Sequence, residues 1–121
     1  MGSDLYNNFP AAREIYDSAN EILGYDLKSI CFDGPEDTLK QTKFTQPALF
    51  VTSCAALAVL RELTSVQPFA LAGHSVGEYA AIYASGAISF EKALKLVQRR
   101  AELMSECAER VPGAIDRKSV V

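Results

Sequence analysis

Residues 69–79 have the sequence FALAGHSVGEY, in which an apolar run ends at Gly73 and small, helix-compatible residues follow. This order predicts a strand over residues 69–73, a sharp turn, and a helix over residues 75–85. The turn contains the pattern G-x-S-x-G, which in α/β enzymes places a serine hydroxyl at the carboxyl end of a strand. The segment therefore predicts an α/β fold with Ser75 at a strand-to-helix elbow.

The same elbow predicts nucleophilic chemistry. Glycines at positions 73 and 77 would remove side chains that clash in a tight turn. The helix that follows would direct the backbone N–H of Val76 toward the oxyanion that forms when Ser75 attacks a carbonyl carbon. A five-residue pattern of this kind also arises by chance, so a glycine-rich turn with a solvent-facing serine is the alternative interpretation.

His74 is the only histidine in the chain. A serine nucleophile needs a general base within hydrogen-bond reach, and this base is most often a histidine. Adjacent side chains in an elbow segment point in different directions. We therefore expect His74 to be packed or to line the turn, and the base to come from outside these 121 residues.

Arg100 lies in a predicted last helix, about residues 90–111, which Ser89 can cap. At helical spacing it falls at the centre of an apolar stripe, whose other members are Ala93, Leu96, Val97, Leu103, Met104, Cys107 and Val111. A buried arginine needs a carboxylate partner, which either a ligand or the protein itself could supply. A structural salt bridge, a substrate-carboxylate site and extension of the side chain to the rim of the stripe are thus all open.

Three further helices are predicted N-terminal to the elbow. Pro10 suits a first helical turn and Gly24 a C-terminal stop, which predicts a helix over residues 10–23. A short surface helix over residues 36–40 follows a turn at Asp33–Pro35. Residues 47–63 are apolar as far as Arg61 and predict a helix buried on most sides.

Composition excludes several classes of function. The net charge of −3 and the pI near 5.1 provide no basic field for nucleic acid. The longest apolar run, residues 47–60, is shorter than the roughly 20 residues of a membrane span. The chain opens without an export signal, and three cysteines, an odd number, indicate reduced thiols. We expect a cytoplasmic protein that binds neither nucleic acid nor membranes and needs no metal or other cofactor.

Four stretches together resemble one enzyme family. They are residues 24–27 (GYDL), 45–49 (TQPAL), 72–79 (AGHSVGEY) and 96–104 (LVQRRAELM). In order and spacing they are similar to malonyl-CoA:acyl-carrier-protein transacylases and to the related acyltransferase domains of polyketide and fatty-acid synthases. The resemblance implies a partial, α/β-hydrolase-like large subdomain, rich in helices around the strand–elbow–helix unit.

The resemblance also implies roles for single residues. Ser75 would form a malonyl-serine ester, Val76 would supply an oxyanion donor, and Arg100 would bind the free carboxylate of the malonyl group. Gln46 lies in a motif that borders the family's active site, and His74 only lines the motif. The implied partners are malonyl-CoA and acyl carrier protein. Val76 after the serine favours malonyl over methylmalonyl groups.

The resemblance covers residues 1–115 as a partial acyltransferase domain. The family's glycine-glutamine loop would precede Met1, and its catalytic histidine and smaller ferredoxin-like subdomain would follow residue 115. We expect residues 116–121, DRKSVV, to be non-native, because their back-translation matches a common sequencing adapter. The 121-residue chain alone is expected to be inactive. A polyketide synthase acyltransferase domain, a serine esterase and a silent binding domain are the alternatives.

Overall fold

The computed structural model describes residues 1–111, which contain seven helices and no strand. The helices, in chain order, are α1 Ser3–Asn8, α2 Pro10–Leu23, α3 Leu27–Asp33, α4 Glu36–Leu39, α5 Thr42–Leu63, α6 Gly77–Ala84 and α7 Phe90–Arg110. The proposed tail, residues 116–121, lies outside the described residues.

The helices with clear local signals begin and end where they were predicted. Helix α2 starts at Pro10 and stops at Gly24, which has a left-handed φ of 75° that glycine adopts without strain. Helix α7 starts after Ser89, whose hydroxyl accepts a hydrogen bond from the Lys92 N–H at 3.3 Å. Helices α1 and α3 were not predicted, although Asp26 caps α3 by accepting from the Ser29 N–H at 3.1 Å.

Helix α5 begins five residues earlier than predicted. Pro47 lies inside it, where a proline removes one backbone hydrogen bond and crowds the carbonyl group of the preceding turn. The preceding turn is held by other contacts: Phe44 packs edge-on against Tyr25, and the Thr45 hydroxyl donates to the Gln41 carbonyl at 3.0 Å. The earlier start places Gln46 within a helix, where it is buried.

The core forms where α5 packs against α2 and α7. Its most deeply buried side chains are Ala12, Tyr16, Ala19, Leu27, Ala48, Phe50, Val51, Cys54, Ala55, Ala93, Leu94, Val97 and Ala101. Each large apolar side chain removed from water contributes about 1.5–3 kcal/mol. Aromatic rings extend this core, because Phe50 stacks on Phe90 and meets Tyr83 of α6 edge-on.

Helix α5 is also long and apolar enough to pass a length-and-composition test for a membrane span, with a mean hydropathy of 1.3. The apolar run in the sequence is shorter than α5, because it begins at Pro47 and ends at Leu60. In the fold α5 is the central core helix, and such a helix passes the same test. Not every side is covered: Leu49, Ala56 and Leu60 form an exposed stripe, so the expectation of burial on most sides was too broad.

The strand predicted over residues 69–73 is absent from residues 1–111. Residues 69–73 have no regular secondary structure, and Phe69 is fully exposed. A strand is defined by hydrogen bonds to a neighbouring strand, and no described residue supplies one. The described part of the chain is therefore helical, and the α/β class predicted from the sequence is not seen in it.

Candidate active site

The turn before α6 has the sharp geometry that the G-x-S-x-G pattern predicts. Ser75 has a φ of 56°, and among residues 1–111 it alone, apart from glycines, has a positive φ. A side chain at Gly73 would bring its Cβ to 2.2 Å from the Gly77 carbonyl group, so only glycine fits there. At Gly77 itself an added Cβ meets open space, so the predicted clash at this second glycine was wrong.

The left-handed conformation of Ser75 ends the extended segment and delays the helix. Helix α6 begins at Gly77 rather than at Ser75, after turn hydrogen bonds from the Gly77 N–H to the His74 carbonyl (2.9 Å) and from the Glu78 N–H to the Ser75 carbonyl (3.2 Å). Within residues 1–111 the Val76 N–H has no acceptor. It lies next to the serine at the positive end of α6, where it can donate to a developing oxyanion.

Arg100 lies at the edge of the buried face of α7, not at its centre. The fully buried residues Ala93, Leu94, Val97 and Ala101 are centred roughly 75° around the helix from it. The predicted centre was wrong because Leu96, Leu103, Cys107 and Val111 are exposed. Sequence periodicity identifies apolar side chains, but it does not show which of them a neighbouring helix covers.

From this edge Arg100 reaches two polar partners. Its Nη2 donates to the Ser75 Oγ at 3.2 Å, and its Nη1 donates to the Gln46 Oε1. Gln46 is only 6% exposed, and its Nε2 donates in turn to the Met104 sulfur at 3.3 Å. Helices α5 and α7 and the elbow thus bring together Ser75, Arg100 and Gln46, three of the residues singled out in the sequence.

No carboxylate in residues 1–111 forms an ion pair with Arg100. Its neighbour Arg99, by contrast, pairs with Glu102 at 3.2 Å and Glu106 at 3.7 Å on the solvent side of α7. The structural salt bridge considered for Arg100 is therefore not formed by the described residues. Its positive charge, beside the serine hydroxyl, is available to an anionic ligand.

Arg100 and Ser75 are in direct contact. A malonyl group joined to Ser75 and held by Arg100 would lie between the two side chains, but here the guanidinium hydrogen-bonds directly to the serine hydroxyl. A free arginine has no anion to hold, so the nearest neutral acceptors satisfy its donors. A ligand carboxylate would have to replace Ser75 as the acceptor of Nη2.

His74 is exposed beside Ser75, and its ring makes no hydrogen bond to any described residue. Of the two alternatives for His74, packed or lining the turn, its exposure agrees with the second. No imidazole or carboxylate among residues 1–111 hydrogen-bonds to the Ser75 hydroxyl, so the described chain contains no positioned general base.

Met104 is the site residue that the sequence did not single out. It was assigned only to the apolar stripe of α7, yet its sulfur contacts the amide of Gln46. Its spacing of four residues from Arg100, one helical turn, was the available signal.

Among the described residues, no group of three histidine, cysteine, aspartate or glutamate side chains could hold a metal ion.

The sequence of the chain matches a known protein family. The model of the acyl transferase domain matches residues 1–119. The chain belongs to this family.

Two relatives show the range of the similarity. The polyketide biosynthesis malonyl CoA-acyl carrier protein transacylase PksC of Bacillus subtilis is 47% identical over 107 residues, 87% of this chain and 35% of that protein. The mitochondrial malonyl-CoA-acyl carrier protein transacylase of Homo sapiens is 44% identical over 121 residues, 95% of this chain and 30% of that protein.

Solved structures of two further proteins resemble the fold of this chain. An acyl carrier protein S-malonyltransferase from Vibrio cholerae has a TM-score of 0.86 at 42% identity, over 94% of this chain and 36% of that one. A malonyl-transacylase in complex with a type II polyketide synthase acyl-carrier protein has a TM-score of 0.84 at 41% identity, over 93% and 35%. The chain spans 30–36% of the length of these four proteins.

Proposed function

We propose that this chain carries the nucleophile and the carboxylate anchor of an enzyme that transfers a malonyl group from malonyl-CoA to acyl carrier protein. The observation that carries the proposal is Arg100, a cation with no carboxylate partner in residues 1–111, hydrogen-bonded to the hydroxyl of a serine at a strained elbow. The names of the relatives, malonyl CoA-acyl carrier protein transacylases, support the same reaction.

The reaction would proceed in two transfers. In the first, the Ser75 Oγ attacks the thioester carbonyl of malonyl-CoA as a base removes its proton, and the Val76 N–H donates to the oxyanion of the tetrahedral intermediate. The C–S bond then breaks, coenzyme A leaves as a protonated thiol, and malonyl-serine remains. In the second, the phosphopantetheine thiol of acyl carrier protein attacks this ester and releases Ser75.

Arg100 would select the acyl group. In the free protein its Nη2 donates to the Ser75 Oγ, and in malonyl-serine it would donate to the malonyl carboxylate. An acetyl group offers no carboxylate, so the guanidinium would lose a charge-assisted partner in the loaded site. Gln46 would hold the other guanidinium nitrogen and keep the fork aimed at the serine.

The general base would come from residues outside 1–111. General bases contribute about 10²- to 10⁴-fold to such reactions, so the 121-residue chain alone should turn over poorly. In the full-length protein, residues 69–73 would pair with neighbouring strands and restore the α/β character that the described residues lack. Both statements are tested by comparing malonyl transfer by the 121-residue chain with transfer by the full-length protein.

A role in polyketide rather than fatty-acid biosynthesis is the second candidate. PksC is named for polyketide biosynthesis, and one matching structure holds a polyketide synthase carrier protein. Comparing turnover with carrier proteins of the two kinds would decide between them.

The cytoplasm is the proposed location, because Cys31, Cys54 and Cys107 are all free, although a mitochondrial relative also matches.

The decisive experiment is acylation of the full-length protein by malonyl-CoA, followed by mass spectrometry of the peptide that contains Ser75. We expect one malonyl group on Ser75 of the wild-type protein and none on Ser75→Ala. A malonyl group on a different residue, or transfer that survives Ser75→Ala, would contradict the proposal. Ser105→Ala, a change on α7 away from Arg100, is the control and should leave acylation unchanged.

A further inference from the structure

We infer that Met104 is a positioning residue, whose thioether sulfur fixes the orientation of the Gln46 amide and thereby the aim of Arg100. The inference rests on the proposed function, because it concerns how the same site recognises a carboxylate. It assigns a role in substrate selection to a side chain that does not itself hydrogen-bond to Ser75.

The first step is the chemistry of the Gln46 amide. Its oxygen faces Arg100, and a guanidinium has five donors and no acceptor. The amide nitrogen must then point the other way, because the reverse orientation would place N–H groups against N–H groups. Arg100 therefore decides which end of the amide faces it, whereas the angle of the amide plane still depends on the acceptor that its nitrogen finds.

The second step is where the amide nitrogen finds its acceptor. Its partner is the Met104 sulfur at 3.3 Å, a group that can accept a hydrogen bond but cannot donate one. Gln46 is 6% exposed, so water does not readily replace this partner. A buried amide N–H without an acceptor is unfavourable, and loss of the sulfur would favour a turn of the amide away from Arg100.

The third step links this contact to the serine. Arg100 and Met104 are four residues apart on one side of α7, and Gln46 of α5 bonds to both. With Nη1 held by Gln46, Nη2 is directed at the Ser75 Oγ. Met104, Gln46, Arg100 and Ser75 thus form one chain of hydrogen bonds across two helices and the elbow.

The experiment replaces Met104 in the full-length protein and measures kcat and KM for malonyl-CoA and acetyl-CoA. Met104→Leu keeps the volume and removes the acceptor, an exchange that cores tolerate. We expect KM for malonyl-CoA to rise about 3- to 10-fold, the effect of losing one modest hydrogen bond, with kcat and acetyl transfer little changed. Leu103→Met, the opposite exchange at the adjacent exposed position, is the matched control. It should change neither kcat nor KM for either substrate.

Two further variants separate positioning from packing. Met104→Gln restores an acceptor, and we expect it to recover most of the malonyl KM. In a Gln46→Leu background, Met104→Leu should have no further effect, because the side chain through which it acts is gone. Equal losses for malonyl and acetyl transfer, an effect that persists without Gln46, or an unchanged malonyl KM in Met104→Leu would each overturn the inference.

A crystal structure of the full-length Met104→Leu protein provides a readout that does not depend on activity. We expect the Gln46 amide to have turned from Arg100 and the contact between Nη2 and the Ser75 Oγ to have lengthened. Unchanged geometry would overturn the inference even if the proposed reaction is correct. If the wild-type protein transfers no malonyl group, the proposed function fails, whereas the altered amide would still support the role of Met104.

Discussion

The helical core and the elbow segment differ in how they are held. The core, formed by α2, α5 and the first half of α7, buries its large side chains almost completely. The elbow segment, residues 64–76, has no regular structure as far as the turn at Ser75 and exposes Val66 and Phe69. The core is stabilised by contacts within residues 1–111, whereas none of these residues pairs with the elbow segment as a neighbouring strand.

The candidate site draws on both regions. Arg100 and Gln46 belong to the core and hydrogen-bond to each other across two packed helices, whereas Ser75 belongs to the elbow. The carboxylate anchor should therefore be preorganised by packing. The position of the nucleophile depends instead on one strained residue and one glycine, which makes the elbow the part of the site most easily disturbed.

The largest expected effect tests the core against the elbow segment directly. In the 121-residue chain, Phe50→Ala should lower the free energy of unfolding by about 3–5 kcal/mol, because it leaves a cavity beside Phe90 and Tyr83. Phe69→Ala should lower it by less than about 0.5 kcal/mol, since Phe69 is exposed. Denaturant unfolding measures the free energy of unfolding of both variants. Similar losses for Phe50→Ala and Phe69→Ala would show that the elbow segment is covered rather than exposed.

The elbow itself is tested by its two glycines. Gly73→Ala places a Cβ 2.2 Å from the Gly77 backbone, so the turn must shift and move the Ser75 hydroxyl. In the full-length protein we expect malonyl transfer to fall about 100-fold, as displacements near 1 Å can cost that much. Gly77→Ala, which meets open space among residues 1–111, should cost far less, and equal losses would argue against a strained elbow.

The core side of the site is tested at Arg100. In the full-length protein, Arg100→Ala should lower kcat/KM for malonyl-CoA by roughly 10- to 100-fold, the effect of losing a hydrogen bond to a charged group. Acetyl transfer should fall much less. Arg99→Ala removes only two surface ion pairs, with Glu102 and Glu106, and is the matched control. Equal losses for malonyl and acetyl transfer by Arg100→Ala would refute the carboxylate role.

The smallest expected effect is the contribution of Tyr16 alone to the pH dependence of core stability. Burial raises the pKa of Tyr16 to about 12, although its hydrogen bond with Thr52 (2.8 Å) opposes the shift. A raised folded-state pKa contributes stability that is present below the unfolded-state value near 10 and is lost as pH rises from 10 toward 12. The free energy of unfolding of the 121-residue chain, measured with denaturant, should therefore be lower at pH 11 than at pH 8.

Tyr16→Phe should reduce the pH dependence but not abolish it. Burial also raises the pKa of Tyr25 to about 12, that of the Cys31 thiol to about 11 and that of the Cys54 thiol to about 12. All three groups lower the stability as pH rises, as Tyr16 does. An unchanged pH dependence in Tyr16→Phe would show that Tyr16 does not titrate with unfolding. Cys107→Ser, at an exposed position, is the control.

Local sequence determined those features whose causes lie within a few residues. Pro10 and Gly24 bounded α2, Ser89 capped α7, and G-x-S-x-G produced a sharp turn at Ser75, since steric limits and capping bonds act over one helical turn or less.

Tertiary structure decided what depends on distant partners. Residues 69–73 form no strand, because a strand is defined by its neighbours rather than by its own apolar residues. Arg100 lies at the edge of the buried face, because the packing of α5 and α2 selects which apolar residues of α7 are covered. The contact between Gln46 and Arg100 joins residues 54 positions apart, and Met104 enters the site only through it, because such contacts arise from the packing of whole helices and leave no local pattern in the sequence.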